Sequence, residues 1–404
     1  MNMLIIGNGF DLAHDRPTRY EDFLKFAEQI VRTKNHHGTK DEFESTMPDL
    51  HTYVREYILS AFDTRQNPGS ESASNKNEIV QELYERLDKN IWWTYFRYIQ
   101  ANDFARGKNW VDFESEIRTI IEFLDHQIKD LYDQLPPSAR LFPDVTRKVE
   151  FFWSQLDFSN YKSQKQRDES YQYTYLDLIR KTYQDLENLI RCLEIYLDDC
   201  VVKAPITCYS SDIQELKIDS VLSFNYTSIP TDIYPSLTNT HYIHGRSKSD
   251  RPAAENNMVL GVNEYWDDHE KNSRTNFNCY KKFVQRIIKE TGIGYKSTLK
   301  EMLSDYKDYD HLSAKTKGYI GSKYNNIYIF GHSLDTTDGD ILREIILTEG
   351  IITTIFYRNK QQQSDQIANL SKILGQDELL KRVFSTSPAI IFRQQAKMAS
   401  WPAT

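Results

Sequence analysis

The sequence lacks any hydrophobic run long enough to cross a bilayer, and its first residues do not have the basic segment and apolar core of a signal peptide. Cysteine is scarce: the four cysteines form no C-x-x-C pair, so we expect no structural zinc site. Positive charge is in deficit, because the formal net charge is −8, and this disfavours nucleic acid as a partner. These absences predict a cytoplasmic protein without membrane segments.

Short apolar runs are what the sequence has instead. Residues 3–6, 219–224, 241–243 and 258–262 have the pattern of buried strands, as do the segments "NNIYIF" and "IITTIFY". Helical spacing of apolar residues first occurs at Tyr20–Val31. Strands that alternate with helices predict an α/β fold with a Rossmann-like parallel sheet.

A long helical block separates the first strand from the others. Residues 31–214 carry apolar residues three and four positions apart, with almost no strand pattern. We therefore predict a discontinuous Rossmann-like domain, residues 1–30 and 215–404, with a large helical insertion of residues 31–214 after the first βα unit. Residues 64–78 are predicted as an exposed loop, and residues 272–312 as a second, lysine-rich helical region.

The first strand ends in a glycine-containing turn, "LIIGNGFDLAH". In a doubly wound sheet this turn approaches the ligand, and glycine lets the backbone come close to a phosphate or ribose. Leu12 replaces the third glycine of G-x-G-x-x-G, so a tight turn without a ligand is an open alternative. Asp11 either caps the next helix or binds ribose hydroxyls. The candidate ligand-binding residues of this turn are Gly7, Asn8, Gly9, Phe10 and Asp11.

Two polar residues follow later strands. Asn225 ends the run "VLSFN", where an amide can bind a sugar hydroxyl and a water together, although a turn asparagine is the alternative. His244 in "HYIHG" is either a base near neutral pH or a structural histidine. The H-x-x-H spacing of His241 and His244 lacks the acidic residue of H-E-x-x-H, so we predict no metal site there.

The segment "IYIFGHSLDTTDGDIL" repeats the order of strand, turn and helix. Gly331 and Ser333 follow the strand, where a phosphate or ribose would bind. The acidic residues Asp335, Asp338 and Asp340 do not have calcium-loop spacing, so we assign them to helix capping and, for Asp335, to hydroxyl binding. All four polar turns come at predicted carboxyl ends of strands, and their convergence on one sheet edge predicts a nucleotide site.

The motifs "LIIGNGFDLAH", "NWVDFE", "LSFNYT", "YIHG", "LGVNE", "KFVQRIIKETG" and "IFGHSLDTTD" together resemble the AbiH family of bacterial abortive-infection, anti-phage proteins, over residues 4–342. One departure follows His14. The chain reads "DRPTRY" where the family tends to have glycine, leucine, proline and threonine, so Asp15 replaces a small residue. The resemblance implies an effector that acts in defence against phage.

The order of these motifs also resembles that of sirtuin-like NAD-binding domains. The resemblance implies NAD as the substrate, with Asn225 and His244 as catalytic residues. Sirtuin deacetylases carry a four-cysteine zinc module that this chain lacks, so the resemblance points to hydrolysis of NAD to ADP-ribose and nicotinamide and not to deacetylation. The positions that carry the similarity are Gly7, Gly9, Pro17, Asn225, His244, Gly331 and Ser333.

Two other functions stay open on the sequence. One is a nucleotide-sensing regulatory module without turnover. The other is an RNA- or DNA-directed toxin, for which residues 281–300 supply lysines, although no metal-binding carboxylate pattern accompanies them. Glu114 either reaches the site from the helical block or is a solvated helix residue. As partners we expect a nucleotide and either a second copy of the chain, in a homo-oligomer, or another defence protein.

Overall fold

The computed structural model describes residues 1–66, 71–102, 112–133, 143–156, 168–267, 269–312 and 324–402. The strands are β1 Asn2–Ile6, β2 Cys208–Tyr209, β3 Ser220–Ser223, β4 Thr240–Tyr242, β5 Asn325–Phe330, β6 Ile351–Tyr357, β7 Ile390–Gln394 and β8 Ala399–Ser400. The helices are α1 Asn8–Ala13, α2 Tyr20–Asn35, α3 Lys40–Glu44, α4 Thr52–Gln66, α5 Glu71–Leu87, α6 Ile91–Ala101, α7 Phe113–Asp133, α8 Pro143–Ser154, α9 Asp168–Ile195, α10 Ser211–Gln214, α11 Ile229–Ile233, α12 Lys282–Ile288, α13 Tyr295–Asp310, α14 Gly339–Leu347, α15 Lys360–Leu374 and α16 Gln376–Phe384. Within these ranges, no helix is both long and apolar enough to cross a membrane.

The chain separates into two compact units. Unit 1 comprises Met1–Thr18, Val202–Ser247 and Lys289–Thr404, and unit 2 comprises Arg19–Val201 and Lys248–Ile288. The parallel sheet lies in unit 1, and the helices α2 to α9 and α12 lie in unit 2. Both units are therefore discontinuous in sequence, and the segment 248–288 returns to the helical unit after β4.

Unit 1 is built on a six-stranded parallel sheet with the strand order β4-β3-β1-β5-β6-β7. The strand β1 pairs with β3 on one side and with β5 on the other. Residues 3–6 of β1 are at most 1% exposed, as is typical of parallel strands that are covered on both faces. The sheet and the helical insertion after the first βα unit confirm the predicted α/β class and the Rossmann-like sheet.

A hydrophobic core covers one face of this sheet. Met3 and Ile5 of β1 and Ile327 and Ile329 of β5 lie in one buried cluster with residues of α13, α14, α15 and α16. They share a face because side chains of a strand alternate between its two sides. Full burial of each such aliphatic side chain contributes about 1.5–3 kcal/mol, and this holds the strand ends in place.

Unit 2 is a helical assembly with an aromatic core. Phe96 stacks on Phe113, with ring centroids 3.9 Å apart. The helix α2 belongs to this unit because its apolar face packs on the other helices. Phe23 lies 6.3 Å from the Phe113 ring, and Phe26 lies 4.9 Å from the Tyr196 ring. The helical pattern at residues 20–31 therefore serves the insertion and not the sheet.

Two strand predictions need correction. Residues 258–262 are buried, but they make only an isolated bridge, between Val262 and Lys281, and no strand. A buried extended segment has the same apolar pattern as a buried strand. The edge strand β7 was not predicted, because its side chains after Ile390 are mostly exposed or half-buried.

The helix predictions also have mixed outcomes. The predicted loop at residues 64–78 is wrong for most of its length, since α4 extends to Gln66 and α5 begins at Glu71, while residues 67–70 lie outside the described residues. The region 272–312 contains α12 and α13. The predicted helix "GDILREIIL" is confirmed as α14, and Gly375 ends α15 in the left-handed region, with φ of 89°.

Candidate functional site

Four turns leave the same edge of the sheet in unit 1. In the parallel register Ile6 pairs with both Ser223 and Phe330, and Ser223 pairs with Tyr242. Asn225 and His244 each come two residues after a paired position, so they follow neighbouring strands at the same level. The segment after β1 lies between the segments after β3 and β5. The sheet thus brings the predicted turns to one edge, where ligands bind in open α/β sheets.

The glycines of the first and last turns pack against one another. The Gly9 N–H donates a hydrogen bond of 2.7 Å to the Gly331 carbonyl. A Cβ on Gly7 would lie 2.8 Å from the His332 Cα, and a Cβ on Gly331 would lie 2.0 Å from the Phe10 nitrogen. The space that these glycines leave is therefore filled by protein backbone. These contacts fit the tight turn that was the stated alternative for Gly7 and Gly9, and binding of a ligand at these glycines stays a prediction.

Two side chains of the first turn also have structural partners. Asn8 accepts a hydrogen bond of 2.6 Å from the Thr18 hydroxyl and donates one of 3.2 Å to the Thr18 carbonyl. Phe10 is fully buried, with the rings of Phe330, His14 and Tyr234 around it. The Phe10 ring belongs to the core, so a ligand contact of this residue would have to be made by its backbone; the predicted contact stays a prediction.

Asp11 is the buried acid of the site. Its residue is 1% exposed, and Thr227 donates a hydrogen bond of 2.7 Å to its Oδ2 atom. Burial raises the pKa of the Asp11 carboxyl to about 7, although Thr227, the neighbouring Asn225 amide and the charge of Arg16 act to lower it. The Oδ1 atom of Asp11 has no hydrogen-bond partner among the described residues. The carboxyl therefore changes charge near neutral pH.

Asn225 presents a buried amide that makes no hydrogen bond among the residues that the structure describes. The Ser223 hydroxyl bonds to both the N–H and the carbonyl of Asn225, at 3.1 Å each, and so fixes its backbone. The residue is 4% exposed, yet neither Oδ1 nor Nδ2 makes a hydrogen bond within the described structure. The amide lies close enough to Asp11 to lower its pKa, but not in hydrogen-bond geometry. An unsatisfied buried polar group costs about 1–3 kcal/mol, so this arrangement is typical of a ligand or water site.

His244 is bound to a carboxylate from the last turn. Its Nε2 atom lies 3.0 Å from Oδ1 of Asp338, and the histidine is 3% exposed. The ring lies beside Phe224 and Tyr226, with centroid distances of 5.5 and 6.4 Å. His332, on the other side of the carboxylate, has its Nε2 atom 3.8 Å from Oδ2 of Asp338. The carboxylate thus lies between two buried imidazoles.

The remaining predicted residues of the last turn have other surroundings. Ser333 is exposed, and its carbonyl accepts a hydrogen bond from Asn369. The Asp335 side chain caps the next turn by accepting from the Thr337 N–H at 3.0 Å, in agreement with the capping assigned to it, and its hydroxyl binding stays a prediction. Gly331 has a left-handed φ of 67°. These residues shape the turn around His332, and the Asp335 carboxylate is engaged by its own backbone.

The first turn contains a structural histidine that sequence reasoning did not single out. His14 donates from Nδ1 to the Phe10 carbonyl at 2.7 Å and accepts at Nε2 from the Tyr234 hydroxyl at 2.9 Å. Burial lowers the pKa of His14 to about 4, so it stays neutral. The next residue, Asp15, has a left-handed φ of 58°. A glycine would adopt this conformation without strain, which agrees with the family's glycine at this position.

Unit 2 contains a separate pair of buried lysines. The Nζ atom of Lys281 donates to Glu264 at 2.9 Å, and that of Lys282 donates to Glu114 at 2.8 Å. Both lysines are at most 1% exposed. Glu114 is therefore paired within its own unit and is not a solvated helix residue. Because Lys281 and Lys282 are buried and paired, they are not available to bind RNA or DNA as the lysines of residues 281–300 were expected to do.

The residues that sequence reasoning missed are partners of those it named. Thr227 and Ser223 lie two residues from Asn225, and His332 and Asp338 lie in the motif that contains Gly331. Their chemistry was visible in the sequence, but their contacts were not. Asp338 had been assigned to helix capping. Its side chain instead bonds to His244, which lies 94 residues away in sequence.

The comparison with protein families agrees with the motifs. A sequence model of bacteriophage abortive infection AbiH matches residues 3–357. The chain belongs to the AbiH family. No curated protein and no solved structure matches the chain. The AbiH match extends from β1 to β6 and includes all residues of the site in unit 1, while residues 109–111 of the "NWVDFE" motif lie outside the described residues. Membership gives the chain a role in abortive infection of phage-infected bacteria.

Proposed function

We propose that this AbiH protein hydrolyses the bond between nicotinamide and ribose in NAD, and so releases nicotinamide and ADP-ribose. The proposal rests on one observation above all: within the described residues, the buried Asn225 amide makes no hydrogen bond, and neither does the Oδ1 atom of the nearby Asp11 carboxyl. A ribose offers hydroxyl groups that both donate and accept. Such a ligand, with one bound water, would satisfy all three atoms.

Cleavage of the bond between nicotinamide and ribose does not need a general acid. Nicotinamide carries its positive charge on the ring nitrogen and leaves as a neutral molecule, so no group has to protonate it. The transition state resembles an oxocarbenium ion, as in glycoside hydrolysis. Water adds to C1′ of the ribose and loses one proton. The protein must therefore hold the ribose, position one water and accept that proton.

The site residues have the chemistry for these tasks. Asn225 would orient the ribose and the water, because its amide both donates and accepts. His244 would accept the proton from the water or from a ribose hydroxyl, which contributes roughly 10²–10⁴-fold in rate. Asp11, with a pKa of about 7, would bind a ribose hydroxyl. The amides of Gly9 and Phe10 already donate to protein carbonyls, so we assign them no contact with the pyrophosphate.

The test is chromatography of NAD after incubation with purified protein. Wild-type protein should produce nicotinamide and ADP-ribose in equal amounts, and Asn225→Ala and His244→Ala should each lower the rate by roughly 10²-fold or more. The matched control is Asp340→Asn, because Asp340 is exposed near the last turn. Full activity in either site variant would contradict the assignment of that residue.

A thermal-denaturation measurement on the same protein, together with the chromatography, separates hydrolysis from nucleotide sensing. A sensor would be stabilised thermally by NAD or ADP-ribose in the wild type, without product, since a ligand that binds only the folded state raises its stability. The nucleic-acid alternative loses support because Lys281 and Lys282 are buried. Binding of RNA that weakens steeply with salt would restore it.

A further inference from the structure

Each oxygen of the Asp338 carboxylate faces the imidazole of a histidine. Oδ1 lies 3.0 Å from Nε2 of His244, which is a hydrogen-bond distance. Oδ2 lies 3.8 Å from Nε2 of His332, which is too long for a hydrogen bond but close enough for electrostatic attraction. Both imidazoles are about 3% exposed. The order His244, Asp338, His332 is thus a buried row of three polar side chains.

The backbone determines which nitrogen of His332 carries the proton. The Leu334 N–H donates to Nδ1 of His332 at 2.9 Å, so Nδ1 is the acceptor and the proton lies on Nε2, facing Asp338. Leu334 itself is fully buried with a left-handed φ of 58°, a conformation that is strained for a non-glycine residue. Backbone strain of this kind is retained where surrounding contacts require it. Here it aims the Leu334 N–H at the histidine.

The same reasoning applies to His244. A carboxylate oxygen only accepts hydrogen bonds, so the nitrogen that faces it must carry a proton. In neutral His244 that nitrogen is Nε2, and Nδ1 is left with the lone pair. A histidine acts as a base only through an unprotonated nitrogen. The identity of the basic atom therefore depends on Asp338.

We propose that Asp338 is a positioning residue that holds the His244 proton on Nε2 and makes Nδ1 the basic atom, and that His332 keeps the Asp338 carboxylate in this orientation. The catalytic part of this proposal rests on the proposed NAD hydrolysis, whereas the position of the proton does not. When His244 takes up a proton at Nδ1, the ionised Asp338 stabilises the resulting imidazolium. No atom of Asp338 has to reach the substrate.

The change Asp338→Asn tests this role with almost no change of shape. An asparagine amide can donate to Nε2, which favours the tautomer with the proton on Nδ1. In the serine-protease triad, the equivalent change of aspartate to asparagine costs roughly 10⁴-fold in kcat for this reason. We expect a loss of kcat of roughly 10²–10⁴-fold with little change in KM. For His332→Gln we expect a smaller loss, roughly 10-fold, because it acts on Asp338 and not on His244.

The tautomer is read directly by ¹⁵N NMR of histidine-labelled protein at neutral pH. The His244 signals are assigned by their absence from His244→Ala. Wild-type His244 should show protonated Nε2 and unprotonated Nδ1, and Asp338→Asn should move the proton to Nδ1. The matched control Asp340→Asn should leave both the spectrum and the rate unchanged. A merely structural role for Asp338 would not reverse the tautomer.

Two results would overturn the proposal: protonated Nδ1 on His244 in the wild type, or full kcat in a folded Asp338→Asn protein. A different result bears on the proposed function alone. If the wild type shows the Nε2 proton and Asp338→Asn moves it, but no preparation or infected cell turns over NAD, the positioning stands and the NAD hydrolysis fails.

Discussion

The Gly9 N–H donates a hydrogen bond to the Gly331 carbonyl over 2.7 Å and so joins the turn after β1 to the turn after β5. The segment after β1 carries Asp11, and the turn after β5 carries His332. The two turns pack so closely that neither has room for a Cβ at its glycine: a Cβ on Gly9 would lie 2.9 Å from the Gly331 Cα. The sheet edge is therefore held by backbone contact, on which the side chains of the site depend.

Replacement of Gly331 by alanine should destabilise the protein. The new Cβ would lie 2.0 Å from the Phe10 nitrogen, and the φ of 67° is strained for alanine. We expect a loss of about 1–3 kcal/mol or more in the free energy of unfolding, measured by urea denaturation. The matched control is Gly339→Ala, where the nearest side-chain atom, of Ile373, would be 3.4 Å away and the backbone is helical. That change should be neutral or stabilising, and an equal loss in both variants would contradict the assignment.

The fold was predictable where a strand is uniformly apolar or a helix carries apolar residues at helical spacing. Residues 3–6 became most of β1, and "GDILREIIL" became α14. Residues 258–262 misled because burial gives an extended loop the composition of a strand. The strand β7 was not predicted because, as an edge strand, it has few buried apolar side chains and so lacks the pattern of a buried strand. Membership of α2 in unit 2 depends on ring contacts with distant helices, which a single sequence does not show.

The Asp11 carboxyl should make stability depend on pH. Its pKa is raised from 3.8 to about 7, so the folded state keeps the proton where the unfolded chain has lost it. The Asp11 contribution to the free energy of unfolding therefore falls as pH rises from about 4 to about 7, by up to about 4 kcal/mol. Asp11→Asn removes this loss. The variant should gain stability over wild type across that window and keep the gain above it.

The contribution of His14 to stability changes with pH in the opposite direction, so its effect must be distinguished from that of Asp11. Its pKa is lowered from 6.5 to about 4, so the contribution of His14 is lost as pH falls from about 6.5 to about 4. Urea denaturation of wild type and Asp11→Asn at pH 4.5, 6 and 7.5 gives the difference in which His14 cancels. A difference independent of pH would contradict the raised pKa of Asp11.

Asn225→Ala should remove activity without removing much stability. Its amide makes no hydrogen bond within the described residues, so the free energy of unfolding should change by less than about 1 kcal/mol. The contrast is Thr227→Val, which leaves Oδ2 of Asp11 without its donor and should cost about 1–3 kcal/mol. Thermal or urea denaturation measures both. If Asn225→Ala is the more destabilising change, the amide has a structural role that the contacts do not show.

The buried pair Lys282–Glu114 should be a matter of stability and not of nucleic-acid binding. Lys282→Met leaves a buried carboxylate without its cation and should cost about 3–5 kcal/mol. Adding Glu114→Gln should recover part of that loss, which a double-mutant cycle measures. The exposed Lys296, paired with Glu344, is the control, and Lys296→Met should change stability by less than about 1 kcal/mol. Equal effects at both lysines would contradict the burial argument.

The site was predictable only in part, for a physical reason. Asn225 and His244 were identified because polar residues after buried strands meet at the sheet edge. The neighbouring carboxylates were harder to place, since helix capping was one of two alternatives for Asp11 and the only role assigned to Asp338. The side-chain contacts across 94 residues, between His244 and Asp338, come from the strand order and not from any local pattern.

The central claim is that the site around the buried Asn225 amide cleaves NAD during infection. The most direct measurement is the NAD content of phage-infected bacteria that carry either the wild-type chain or Asn225→Ala at equal protein levels. The account predicts a fall in NAD, with nicotinamide and ADP-ribose rising, in infected wild-type cells and no fall with the variant. Protection against phage by the wild type while cellular NAD stays constant would contradict it.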